Sequence, residues 1–372
     1  MSDAGGVCWP RRACGTARQT PSERRGRAGN GAEGDDSGAR AEELHRSSPV
    51  FVGHDHYCHE EHLLAMHRAG LAGKVTLASV DARVFSDVED RERSLHEYTG
   101  FTEPAWREMR SIRAIVDAHP DALLLARGAG DIVRAHETGR SAVLLGFEGG
   151  KPIERDLGLL HEAYGLGLRV LQLTWAGGND ICDRRDPPVC EGLTDFGREA
   201  VREMNRLGVL VDPGHCSRKT FFQVMELSSR PVAFLHGTPR GAIPGAGDLD
   251  DDQLRAVAAT GGVVGLHFFS HYLHPARPAT AADVVTHVEY LAEAIGVERI
   301  ALGCDYLYLS DDFRRAHGLP ASGYLGIPEE LDSYDKLVNV TRELCRRGFG
   351  DEEVRMILGG NLIRLFRSVI GD

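Results

Sequence analysis

Nine short apolar runs alternate with amphipathic segments from Pro49 onward, and this alternation constrains the fold more than any other feature of the chain. The runs are PVFVGH (49–54), KVTLASV (74–80), DALLLAR (121–127), AVLLGFE (142–148), LRVLQLTW (168–175), GVLVDPGH (208–215), PVAFLHG (231–237), GVVGLHFF (262–269) and RIALGCD (299–305). Near-continuous apolar runs mark strands buried on both faces, and the helices between them supply the crossovers of a parallel sheet. Helical patterns such as EEHLLAMHRAG, TDFGREAVREMNRLG and TAADVVTHVEYLAEAIG end at Gly, a common helix stop. The pattern predicts an α/β fold, a (β/α)8 TIM barrel with one strand to spare. An open doubly wound sheet is the structural alternative, but it gathers residues from many strands less easily.

Six side chains typical of metal sites, His54, His56, Glu148, His215, His236 and Asp305, stand at the ends of these runs. All strand C-termini of a parallel barrel open on one face, so residues far apart in sequence would meet there. His54 and His56 are two residues apart, which turns both imidazoles to the same side of a strand and Asp55 to the other. Imidazole is the commonest metal ligand near neutral pH. A carboxylate such as Glu148 can bridge two ions about 3.5–4 Å apart, and Gly149 and Gly150 leave room for close approach to it. The set could hold two or more divalent ions, Zn2+ first among them. Zinc lowers the pKa of its water from 15.7 to about 7, so a metal-bridging hydroxide would attack a polarised carbonyl. Asp305 would take the proton and return it to the leaving group.

A hydrophobic content of 42% over 372 residues supports a substantial core, and a net charge of −12 argues against nucleic acid as a partner. No apolar run is long enough for a membrane span, and the first residues lack the apolar core of a secretory signal, so the cytoplasm is the expected compartment. Eight cysteines occur without a CxxC; Cys182 and Cys190 flank the loop DRRDPPV and read as two reduced thiols unless the compartment is oxidising. Residues 1–48 contain almost no branched or aromatic side chains and are expected to be disordered; a start codon assigned too early would give the same texture. Residues 49–372 are expected to form the barrel domain.

Within that domain GFEGG (146–150), LGLRVLQLTW (166–175), GLTDFGREAVREMNRLGVLVDPGHCS (192–217), PVAFLH (231–236), LDDDQLRAV (249–257), IALGCD (300–305) and GGNLIRLF (359–366) resemble the blocks of the renal or membrane dipeptidases. These are zinc metallopeptidases of the amidohydrolase superfamily. The resemblance implies a hydrolase of dipeptides or dipeptide-like amides, with two zinc ions. His54 and His56 would hold one ion, Glu148 would bridge, His215 and His236 would hold the other, and Asp305 would match the catalytic aspartate. Substrates would be small peptides with a free C-terminal carboxylate, and a homodimer is implied because the family often forms one.

Several positions depart from the family pattern. His56 replaces the aspartate of His-x-Asp, which raises the charge of the ligand set by one unit. Trp175 stands where the family has a histidine that helps hold the substrate carbonyl, a donor whose loss typically costs about 10²–10³ in rate. Gly247 and Asp248 replace the Arg-Asn whose arginine pairs with the substrate carboxylate, and Arg240 is the candidate substitute. DYLY (305–308) replaces DFDG. The ligands are thus kept and the substrate-reading groups changed, which predicts a shifted, bulkier or more aromatic amide against Trp175. The competing readings are another amidohydrolase reaction, deamination or lactone opening, and a non-hydrolytic metal-binding protein of a biosynthetic pathway.

Overall fold

The computed structural model describes residues 34–82, 94, 96–175, 178–183, 191–307 and 326–372. Among the described residues nine strands follow one another as β1 (Phe51–Asp55), β2 (Gly73–Val80), β3 (Leu123–Leu125), β4 (Ser141–Glu148), β5 (Leu168–Gln172), β6 (Leu210–Asp212), β7 (Phe234–Gly237), β8 (Val264–Leu266) and β9 (Ile300–Leu302). Each matches one of the apolar runs, although several are shorter. The pairing order is β6-β5-β4-β2-β1-β9-β8-β7, and the described ladders are all parallel. Between β6 and β7 the Ala233 N–H donates to Val211 O at 3.2 Å. Eight strands therefore form a nearly closed barrel. β3 is the spare strand: it pairs with Ser141–Val143 at the start of β4, while β5 pairs with β4 from Leu145 to Glu148.

Alternation along the strands separates two apolar layers. Phe51, Val75, Leu77, Leu144, Val170 and Leu235 belong to one cluster with Leu362 and Phe366 of the last helix, Asn361–Val369. Val52, Val143, Leu145 and Val211 belong to a larger cluster with the surrounding helices. The first cluster fills the barrel and its lower end; the second lies between strands and helices. Phe51 and Phe366 meet edge to face with ring centroids 5.6 Å apart.

The expectation of disorder up to residue 48 does not hold for its last part, because Gly34–Ser47 is an α-helix. Its few apolar residues are spaced to share one face: Ala41 and Leu44 are buried against the core, His45 Nδ1 lies 2.7 Å from Thr341 Oγ1, and Arg342 pairs with Glu42. Composition alone concealed this, since a helix docked by two small contacts and polar bridges needs little apolar content. Residues 1–33 lie outside the described residues. Among the described residues no helix is long and apolar enough to cross a membrane.

Candidate metal centre

The six strand-end residues converge at the C-terminal mouth. Glu148 closes β4 and is the hub: its Oε1 lies 3.2 Å from His215 Nε2, 3.5 Å from His54 Nε2 and 3.5 Å from His236 Nε2. Its Oε2 lies 3.3 Å from His56 Nε2. Asp305 Oδ1 stands 3.2 Å from His56 Nε2 and 3.6 Å from His54 Nε2. Two sets of donor atoms fall within 4.8 Å of one another, His54–His56–Glu148 and Glu148–His215–His236, and they share Glu148.

Local sequence explains each placement. In β1 the register shifts between Val52 and Asp55. Gly53 already faces the barrel interior, against Leu235 and Leu362. The irregularity lets the next residue, His54, turn inward as well, as a bulge does. Past the strands, Asp305 N–H donates to His54 O and His56 N–H to Tyr306 O, both at 3.0 Å, so backbone pairing continues into the site. His215 sits on the tight turn Asp212–Pro213–Gly214, where Gly214 N–H donates to Asp212 Oδ1 at 2.7 Å, and the following helix is capped by Ser217. His215 and Asp305 both hold positive φ, 60° and 59°, strained for non-glycine residues and typical of functional positions.

Gly149, with φ of 123°, does not make room for a ligand as expected. A Cβ there would meet the Asp81 carboxyl at 2.0 Å, so what approaches is Asp81. Asp81 accepts from the Lys151 N–H and the Asn179 amide, each at 2.7 Å, and braces the strand end beneath Glu148; burial raises its pKa to about 7.

The electrostatics suit a cation. Burial by itself would raise the Glu148 pKa, but the charge of His56 and the close imidazoles of His215 and His54 hold it well below the ordinary value. Burial by itself would lower His56, but Glu148 and Asp305 raise it to about 10, so a proton sits where a metal ion would replace it. Burial, with His54 and His215 nearby, keeps His236 well below its ordinary value and therefore neutral, the form that binds metal. His54 Nε2, Glu148 Oε2 and His236 Nδ1 are buried without a hydrogen-bond partner. Buried polar atoms left unpaired around a carboxylate are costly unless an ion satisfies them, so these residues fit divalent metal.

Above the site lies a cavity of about 210 Å³ whose walls include Trp175, His267, Phe269, Tyr272 and Leu307. Trp175 is thus placed beside five of the six residues, His56, Glu148, His215, His236 and Asp305. Arg240 is not: it lines a neighbouring cavity of about 570 Å³ that shares His215, Phe234 and Asp248, and its Nε lies 3.7 Å from Asp250 Oδ1. Asp248 turns inward to accept from Thr238 N–H at 2.7 Å. Cys190 and Tyr308 lie outside the described residues; Cys182 is a free thiol 3.8 Å from the Cys216 sulfur.

Two further residues lie in the cluster or line the cavity, and the sequence reading does not single them out. Asp212, with donor atoms within 4.8 Å of those of His54 and His236, is buried at the end of β6, and burial raises its pKa to about 6. His267 follows β8 in GVVGLHFF, and the same strand-end rule that found the six would have found it.

A family model described as membrane dipeptidase (peptidase family M19) matches residues 97–370. Dipeptidase 3 from Rattus norvegicus is 31% identical over 271 residues, 71% of this chain but 52% of that protein. The chain therefore spans about half the length of this curated relative. An amidohydrolase from Pseudomonas aeruginosa superposes with a TM-score of 0.77 at 25% identity, covering 89% of this chain and 99% of that one. A metallo peptidase from Rhodobacter sphaeroides, liganded with a phosphinate mimic of the dipeptide L-Ala-D-Ala, has the same fold, with a TM-score of 0.71 at 22% identity over 87% of this chain and 99% of that one.

Proposed function

The chain belongs to the membrane dipeptidase family, peptidase family M19, and from that premise we propose that it is a zinc-dependent hydrolase of dipeptides or dipeptide-like amides. The observation that carries this reading is the approach of four histidines to one buried carboxylate, Glu148. His54 and His56 would hold one ion, His215 and His236 a second, with Glu148 between them. When bound, zinc would supply hydroxide at neutral pH and polarise the amide carbonyl.

The chain's own groups do the rest. Asp305 is held at the mouth by its backbone bond to His54 and is aimed at His56, so its carboxylate can accept a proton from attacking water and pass it to the departing amine. Glu148 keeps its charge because surrounding imidazoles favour the ionised form. Trp175, Phe269 and Tyr272 give the cavity aromatic walls that exclude water and favour an apolar side chain next to the scissile bond.

Zinc-reconstituted protein should cleave members of a dipeptide panel, with aromatic members favoured. Metal-loaded protein that leaves every dipeptide intact while opening a lactone or releasing ammonia would overturn the assignment.

A further inference from the structure

One wall of the cavity carries a fixed proton donor that the reaction as described does not use. His267 is 2% exposed and lines the same cavity as Glu148, His236 and Asp305. Its Nδ1 lies 3.1 Å from the Phe269 backbone N–H and accepts from it. A ring nitrogen that accepts carries no proton, so the neutral imidazole holds its proton on Nε2. Among the described residues no hydrogen bond to Nε2 is found. The open side of the ring is the cavity. Orientation is set from two sides: the Tyr272 ring stands edge-on with centroids 4.4 Å apart, and the Phe269 ring does so at 5.5 Å.

We propose that His267 is a catalytic hydrogen-bond donor whose Nε2–H binds the scissile carbonyl oxygen as that oxygen becomes negative. This rests on the amide-hydrolase reading above. As water oxygen adds to the carbonyl carbon, the C=O π pair moves onto oxygen, and a neutral donor already in place stabilises that charge without reorganising. The pair returns as the C–N bond breaks, and the amine nitrogen takes its proton from Asp305; the His267 proton never leaves Nε2. A neutral imidazole suits this role because it can act as an electrophile without first surrendering a charge. The donor's partner, Phe269 N–H, belongs to the main chain, so the tautomer is set by the backbone and not by a mobile side chain.

The test uses the zinc-loaded full chain with His267→Leu, which removes the donor, and His267→Gln, which puts an amide N–H in its place. His267→Leu should lower kcat by about 10²–10³-fold with KM changed far less. His267→Gln should recover part of that loss, and binding of a phosphinate dipeptide mimic should weaken in His267→Leu in step with kcat. Metal content should stay at the wild-type ratio in both. An unchanged kcat in His267→Leu, or a loss explained by missing metal, overturns the donor role alone. Wild-type protein that neither cleaves dipeptides nor binds the phosphinate overturns the amide-hydrolase reading and the donor role with it.

Discussion

The Asp55 carboxylate, set between His54 and His56, lies 3.2 Å from the Lys74 ammonium, and neither side chain is exposed. Tyr334 donates to Asp55 Oδ2 at 2.8 Å, and Tyr57 N–H donates to Oδ1 at 2.7 Å. Burial pushes the Asp55 pKa up and the Lys74 pKa down, yet the pair is neutral overall wherever the shared proton sits. It pins β1 to β2 at the residue whose two neighbours are proposed as metal ligands. Lys74→Met should destabilise the protein by about 3–5 kcal/mol, because it leaves a buried carboxylate uncompensated. The double variant Asp55→Asn/Lys74→Met should recover much of that stability. Chemical denaturation checks both, and metal content should fall in the single variant before the fold is lost.

This pair shows where the sequence stops being informative. The six strand-end residues were legible because each follows an apolar run, and a parallel barrel brings such ends together whatever the loop lengths. Asp55 was expected to turn away from the site, and it does, but its partners Lys74 and Tyr334 lie 19 and 279 residues along the chain and carry no pattern of their own. The barrel and its spare strand were legible for the same reason as the strand ends. Arg240 was placed by proximity in sequence to Gly247, and tertiary packing put it in the adjoining cavity. The 34–47 helix is not legible in composition, which does not register a short docked face.

Trp175 lines the cavity where the family resemblance places a histidine. Trp175→His should raise kcat on small dipeptides by roughly tenfold or more if the imidazole reaches the carbonyl oxygen. Trp175→Ala should raise KM for aromatic dipeptides by an amount corresponding to about 0.5–1.5 kcal/mol, with little change for alanyl ones. Steady-state kinetics over the same panel separate the two effects.

Gly247 holds φ of 81°, and a Cβ there would meet Pro239 O at 2.6 Å and Arg240 N at 2.8 Å. An arginine cannot occupy this position on the present backbone. Gly247→Ala should destabilise the protein by about 1–3 kcal/mol through strain. A thermal melt within error of the wild type would show that the loop relaxes freely.

His45 docks the 34–47 helix, and its pKa is lowered from 6.5 to about 4, first by burial and further by Arg342, against Glu42. Its folded pKa lies below the unfolded one, so the unfolded state takes up the proton first as pH falls. The stability this group contributes is complete above pH 6.5 and is lost progressively between about 6.5 and 4, at most roughly 3 kcal/mol in all. Hydrogen exchange at pH 7 and pH 5 should show the helix opening faster at the lower pH, and His45→Phe should flatten that difference.

If the four histidines and Glu148 form a working hydrolytic metal centre, activity must follow the metal. The chain is stripped with chelator, titrated with Zn2+, and assayed on a dipeptide panel beside His215→Ala. Hydrolysis should vanish on chelation, return as zinc fills two sites per chain, and stay absent in His215→Ala. Hydrolysis that persists without metal, or zinc-filled protein that cleaves no dipeptide, would contradict it.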